Sequence, residues 1–470
     1  MIELSRKLAR RIHGVLRRVF RKPYQVAPVI AFAAGRDGLI VQARHTEIAV
    51  EYRHAGSFPR ADLVVSMETL AAVAGSDETV VTMRPGAAGQ VVATWTDRDV
   101  PQVTAFLVPD AKGMPAFPDL PEQWTANPPA LLAAIDEASR TTATDSVRFA
   151  LQRIQLNAKA GKVVGTDSKN LFIAGGFDFG FQEDVLIPRI MAFNQAELGE
   201  TDLVEIGRTE NHVAIRCGPW TCTLAIDTVG RYPDVESVIP RRSANAATCR
   251  FDAEDSAFLL RALPRLPGKE SPNPITLALN GRVVLRSRAT DQPQTTELVL
   301  ARSACGGPPS LLNLNRDHLH RALSLGFREL TVVNPDRPLV FRDERRTYVT
   351  MPLTAKDALT PSADVLQVNS ANMPSTAFKP KPEKHMATPS TNGVDHEETS
   401  RRQRSPSVNK SNGRVTLATL ITEAQRLKES AREMFSKANR LTGTLKRHRK
   451  QARLTASTLR SLKQLHVIDA

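Results

Sequence analysis

The residues that could do chemistry in this sequence are few. His318 and His320 stand two apart on a segment with helical periodicity, a spacing that points them to different faces and denies them a shared metal ion. They read as solvated polar positions. Asp252, Glu254 and Asp255 have the composition of a metal site, but they open a second helical segment, where carboxylates suit the N-terminal dipole. No HExxH, GxSxG, P-loop or strand-turn-helix GxGxxG occurs. No catalytic residue, metal ligand or cofactor is therefore assigned, and a non-enzymatic protein is expected. Cys217, Cys222, Cys249 and Cys305 lack CxxC pairing and read as inert, buried thiols.

A different chemistry is concentrated at the start of the chain. Residues 1 to 22 carry Arg6, Lys7, Arg10, Arg11, Arg17, Arg18, Arg21 and Lys22 against Glu3 alone, while Leu4, Leu8, Ile12, Val15, Leu16 and Val19 form an apolar stripe at helical spacing. Such a helix docks its apolar face and turns its cations outward. Three uses fit the outward face: neutralising DNA phosphates without reading bases, lying on a membrane surface, or solvation alone.

The 470 residues hold 63 Lys and Arg against 49 Asp and Glu, a formal charge of +14. The excess is uneven. Eight basic residues face one acidic in 1–22, 34 face 38 in 23–353, and 21 face 10 in 354–470. A run of eighteen or more apolar residues does not occur, which argues against a spanning helix, and the N-terminus lacks the apolar core of a secretory signal. An intracellular, cytoplasmic and nucleoid-associated protein is expected.

The elements that must position these groups repeat. Gly38-Leu-Ile-Val41, Gly161-Lys-Val-Val164 and Gly281-Arg-Val-Val284 lie 123 and 120 residues apart. Helix-like segments starting at Pro59, Pro188 and Leu314 lie 129 and 126 apart. A period near 120 predicts three copies of one domain, over 1–122, 123–243 and 244–353. Each copy reads as helix, strands, helix, strands, with first helices over Leu4–Phe20, Pro129–Thr142 and Ala253–Leu263, so the fold class is α+β. From 354 to 413 the chain is rich in Pro, Ser, Asn, Thr and Lys and reads as a disordered linker. From 414 to 470, Leu417, Leu420, Ala424, Leu427, Ala431, Met434, Ala438, Leu441 and Leu445 keep heptad spacing, which predicts a basic coiled-coil helix.

Several strings are specific enough to compare with a known family. Asp145-SVRFALQRIQLNAKAGKVVGTDSKNLFIAG, then Val185-LIPRIM, then Ile226-DTVGRYPDVESVIP240, and finally Arg346-TYVTMPL, follow one another in order. This series resembles the bacterial DNA polymerase III β subunit, the sliding clamp, over about Met1 to Leu353. Where the family has Gly-His-Arg after Thr-Asp, this chain has Ser168-Lys169-Asn170, and a closing Arg-Leu is replaced by Thr354-Ala355.

The resemblance implies a three-domain protomer that closes head to tail into a homodimeric ring, with helices lining the hole and antiparallel sheets outside. It implies DNA encircled rather than read, contacted by Arg6, Arg10, Arg11, Arg17, Arg18, Arg21 and Lys22. It implies an apolar pocket for short peptides of the polymerase and clamp loader at Leu151, Thr166, Leu171, Pro240, Val349, Met351, Pro352 and Leu353. At the ring joint, Phe106 and Val108 are expected against Leu263 and Leu266 of a second copy. The last residues, Gln464 to Ile468, resemble the QLxLF-type peptide that such pockets take, or form a frayed helix end. The alternative to a processivity clamp is a clamp-fold paralogue serving as a basic DNA-associated scaffold in repair or chromosome organisation.

Overall fold

The structure is a computed structural model that describes residues 1–372 apart from 21–27, 88, 110–115, 145–148, 192, 194–197, 199–200, 269 and 362–363. The described residues fall in one compact unit, and everything below concerns it. The expected coiled coil and the Gln464–Ile468 peptide lie outside the described residues.

The chain lays down one order of elements three times. The first block runs β1 (Ile2–Ser5), α1 (Arg6–Val19), β2 (Ile30–Gly35), β3 (Gly38–His45), β4 (Ile48–His54), β5 (Ala61–Val65), α2 (Met67–Val73), β6 (Val80–Pro85), β7 (Gln90–Asp97) and β8 (Val100–Leu107). The second runs β9 (Thr125–Asn127), α3 (Ala130–Thr141), β10 (Arg153–Asn157), β11 (Lys162–Thr166), β12 (Asn170–Gly175), β13 (Val185–Pro188), β14 (Val204–Arg208), β15 (His212–Cys217) and β16 (Trp220–Ala225). The third runs β17 (Ala247–Arg250), α4 (Ala253–Ala262), β18 (Pro274–Leu279), β19 (Val283–Ser287), β20 (Thr295–Leu300), β21 (Ala304–Gly306), β22 (Ser310–Asn315), α5 (Arg316–Ser324), β23 (Glu329–Val332), β24 (Leu339–Arg342) and β25 (Arg346–Thr350).

The glycine-led runs found in the sequence open the equivalent strands β3, β11 and β19. Gly38, Gly161 and Gly281 all stand at positive φ (114°, 61° and 66°), where a side chain is strained. The repeat in sequence is thus a repeat of one turn geometry.

Each block supplies two half-sheets, and neighbouring blocks join by adding one edge to another. β4 pairs with β16 through five antiparallel register pairs, Ile48↔Leu224 to Tyr52↔Trp220, completing the eight-stranded sheet β5-β2-β3-β4-β16-β15-β14-β9. β12 pairs with β25 through five more, Asn170↔Thr350 to Ala174↔Arg346, within the nine-stranded sheet β13-β10-β11-β12-β25-β24-β23-β17-β21. Two half-sheets remain at the ends, β1-β6-β7-β8 and β22-β18-β19-β20. The second carries one further strand, β26 (Val365–Asn369), on the outer side of β20.

The helices pack through apolar stripes. α1 is capped by Ser5, whose hydroxyl accepts from the Leu8 amide at 3.2 Å, and buries Ile12, Val15, Leu16 and Val19. α3 lies close on β11 because Gly165 has no side chain: a Cβ there would meet the Ala138 carbonyl oxygen at 2.4 Å. Gly165→Ala is expected to cost roughly 1–3 kcal/mol through this clash, measured as a lower urea midpoint.

Two sequence expectations change. The segment from Pro59, read as one helix, divides: Leu63 and Val65 alternate inward as strand β5 opposite Phe32 and Ile30, and α2 begins only after the Ser66 cap. Its counterpart after Pro188 falls largely outside the described residues, beyond strand β13. The start of the segment read as a linker is also built: Ala355–Asp357 form a 3-10 turn and Val365–Asn369 form β26. Composition hides this strand because its partner, β20, is remote in sequence.

Candidate functional site: a cationic helix face and an outer-face cleft

The six cations on α1 separate into groups. Arg10, Arg17 and Arg18 are exposed and make no ion pair among the described residues. Arg6 instead points inward at 8% exposure and bridges Asp77 (3.2 Å) and Asp97 (2.9 Å), so it clamps the helix start to the β6–β7 side of the block. Lys7 pairs with Glu78 at 2.7 Å. Arg11 is half-buried and lies near Tyr52, while Arg21 and Lys22 lie outside the described residues. The free cationic face is therefore narrower than the sequence suggested and centres on Arg10, Arg17 and Arg18.

The corresponding helix of the second block is built differently. Asp136 is buried and bonded to Arg140 at 2.8 Å. Glu137 meets Arg321 of α5 at 3.3 Å, and Arg321 also donates to the Arg140 carbonyl (2.9 Å) and Thr141 Oγ1 (2.8 Å). Burial raises the Glu137 pKa, with Arg321 and Arg140 pulling the other way. These groups hold the second and third blocks together and leave little charge for a ligand.

The outer face of the nine-stranded sheet carries the second site. Register places Thr166, Leu171, Val349, Val340 and Thr331 side by side on five consecutive strands. Val164, Leu171, Ile173, Val235, Val340 and Val349 form an apolar cluster separate from the main core, with Tyr232 and Ile239 packed against it. Burial raises the Tyr232 pKa, so its phenol stays neutral against the Val164 carbonyl. The row leads into a cleft of about 770 Å³ that shares Val340 and Thr331, takes in Pro240 and is walled by Arg242, Arg250, Arg328 and Arg342.

One end of the row is fixed by polar contacts. Thr166 Oγ1 donates to the Asn170 carbonyl at 2.7 Å across a turn in which Ser168 takes φ 75° and Asp167 accepts from the Lys169 and Asn170 amides. Tyr348 donates to Asn170 Oδ1 at 2.9 Å. His318 lies 2.8 Å from Thr350 Oγ1 through Nδ1 and 3.3 Å from Asn170 Nδ2 through Nε2. Burial lowers its pKa, so the neutral ring accepts from Asn170 at Nε2 and donates to Thr350 from Nδ1. His318 is thus a structural group and not the solvated one expected; His320 likewise lies 3.2 Å from the Leu260 carbonyl.

Of the expected pocket residues, Thr166, Leu171 and Val349 come together in the row, Pro240 lines the cleft, and Met351, 41% exposed, follows β25 with its amide on the Lys169 carbonyl. Pro352 and Leu353 are half-buried, the Leu353 amide bonding the Asn313 carbonyl. Leu151 is buried on a 3-10 turn beside β10 and β11, apart from the cluster. Sequence reasoning missed Val164, Ile173, Val235 and Val340, although alternation along β11, β12 and β24 marks three of them as facing one side.

At the expected ring joint, Phe106 packs against its own core and Val108 is exposed at the end of β8. Leu263 and Leu266 are buried in the third block at 0% and 5% exposure. Asp252 caps α4 by accepting from the Glu254 amide, and Asp255 is buried and bonded to Ser303 and the Arg302 amide. Among the described residues no His, Cys, Asp and Glu cluster could hold a metal ion. Burial raises the Cys217 thiol to about 12 and Cys222 well up; Cys305 is half-exposed.

The three-block architecture has counterparts among solved structures. The DNA polymerase III subunit β of Pseudomonas aeruginosa superposes with a TM-score of 0.61 at 18% identity, over 75% of this chain and 99% of that one. The fold is that of a sliding clamp. A putative DNA polymerase III β subunit from Eubacterium rectale gives 0.61 at 15% identity over 75% and 98%, and the Pseudomonas aeruginosa clamp bound to griselimycin gives 0.62 at 17% over 75% and 99%. No protein-family model and no curated protein matches the sequence. The clamp fold spans three quarters of the chain. Among the described residues, no helix is long and apolar enough to cross a membrane.

Proposed function

We propose that this protein is a DNA sliding clamp: a ring of two copies that encircles duplex DNA and tethers a polymerase through short peptides seated on the outer face. The reading rests on the joint that occurs twice within the chain. β4·β16 and β12·β25 join blocks by the same antiparallel edge addition, and a third such joint can only be made with another copy. The exposed Arg10, Arg17 and Arg18 supply a phosphate-neutralising face that reads no bases. The apolar row from Leu171 to Val340, with the exposed Met351 beside it, is the surface we assign to one or two peptide side chains.

The test is topological. Protein loaded on circular duplex should survive a salt wash and be lost when the circle is cut. Equal retention on linear and circular DNA would sink the ring.

A clamp-fold scaffold without ring closure is the second reading, favoured by β26 lying over the β20 edge; the same assay separates the two. In either case Met351→Ala should weaken capture of a QLxLF-type peptide by roughly tenfold, as loss of one exposed anchor does, read by fluorescence polarisation with unchanged melting.

A further inference from the structure

The position of β26 changes how the third joint must be made. In the two joints inside the chain, the last strand of one half-sheet (β4, β12) meets the last strand of another (β16, β25). By the same order, the remaining ends are β20 and β8. β20, however, is already paired on that side: β26 runs along it in five parallel register pairs, Thr295↔Val365 to Val299↔Asn369, the one parallel pair among the described strands.

β26 is held by side chains as well as by the ladder. Ser370, 4% exposed, accepts from the Ala301 amide at 2.9 Å. Gln367 donates to Glu297 Oε1 at 2.8 Å, while Glu297 Oε2 takes Arg286 at 2.7 Å in a buried ion pair. The carboxylate of the β20 strand is therefore satisfied internally on both oxygens. Val368 packs on the core, and Leu366 remains 54% exposed.

Resting on the clamp reading above, we infer that β26 is the joining strand and that β8 of a second copy adds to β26, not to β20. Three observations carry this. β26 runs parallel to β20, so it offers an incoming strand the same chain direction, and the antiparallel sense of the other two joints is preserved. β8, VPQVTAFL, and β26, VLQVN, contain no charge, whereas open edges are ordinarily blunted by charged side chains or proline, and the proline of β8, Pro101, stands at its start and leaves Gln102 to Leu107 clear. Finally, both edges leave apolar groups uncovered: Val100, Val103 and Leu107 on β8 are 56%, 71% and 73% exposed, and Leu366 is the match on β26. The joint sheet then holds nine strands, four from one copy and five from the other, as the β12·β25 sheet already does.

The test uses the full chain, sedimentation, and cysteine pairs between copies. Val103→Glu on β8 and Gln367→Pro on β26 should each weaken the dimer by roughly tenfold or more, since each disrupts an edge ladder. Thr104→Cys should crosslink to Leu366→Cys in a second copy. If Gln367→Pro instead strengthens the dimer, or Thr104→Cys crosslinks to Thr296→Cys on β20, β26 is a removable cover and the inference falls while the ring stands. A chain that stays monomeric at every concentration in all variants overturns the ring reading itself.

Discussion

Replacing Arg10, Arg17 and Arg18 together with Glu is expected to abolish the salt-sensitive binding to linear duplex DNA, while leaving both the melting temperature and salt-resistant retention on circular DNA almost unchanged. The three side chains are exposed and make no ion pair among the described residues, so their loss breaks no salt bridge. Each phosphate contact contributes about 0.9 to the slope of log affinity against log salt, so removing three should flatten the slope for linear DNA by about 2.7 per chain. Arg6→Ala is the contrasting control. It should leave the slope alone and lower stability, because it breaks the bridge to Asp77 and Asp97. If the two variants behaved alike, α1 would not be the DNA face.

The second large effect is on stability. Arg316→Met should destabilise the third block by about 2–5 kcal/mol, since each buried carbonyl left without a donor costs about 1–3 kcal/mol. Arg316 is 3% exposed and has no carboxylate ion pair among the described residues; its guanidinium donates to the Leu266 carbonyl at 2.6 Å, the Pro267 carbonyl at 2.5 Å, the Gly268 carbonyl, and Ser287 Oγ at 3.2 Å. Desolvation lowers its pKa, with Asp317 and Glu270 acting weakly the other way. The fork ties down the turn after α4, and methionine would leave the Leu266 and Gly268 carbonyls without donors, Pro267 keeping only the Ser287 hydroxyl. Arg316→Lys should rescue little, because a single ammonium cannot span the same acceptors. Thermal unfolding reads both; an unshifted Arg316→Met midpoint would mean that water replaces the fork.

These residues also show what could be read in advance. The threefold plan was legible because Gly38, Gly161 and Gly281 meet the same backbone demand in each block, and a positive φ leaves a mark on sequence. Leu171 and Val349 were legible through the strings that resemble a known family. Arg6 was not, since its fate depends on Asp77 and Asp97, some 70 to 90 positions away. Burial of Leu263 and Leu266 was likewise hidden, because Arg316 pins their turn from a distant strand end. β26 was hardest: five residues of modest apolarity in a Pro- and Ser-rich stretch become a strand only once β20 offers its edge.

The same pairing carries a consequence in time. Val365 follows Leu300 by 65 positions, so a chain leaving the ribosome shows a bare β20 edge until β26 emerges. Bare edges are where unfinished chains stick to one another. Completion of the joining surface is then coupled to completion of synthesis through this region, and a translation arrest before Val365 would leave a product with the wrong edge exposed.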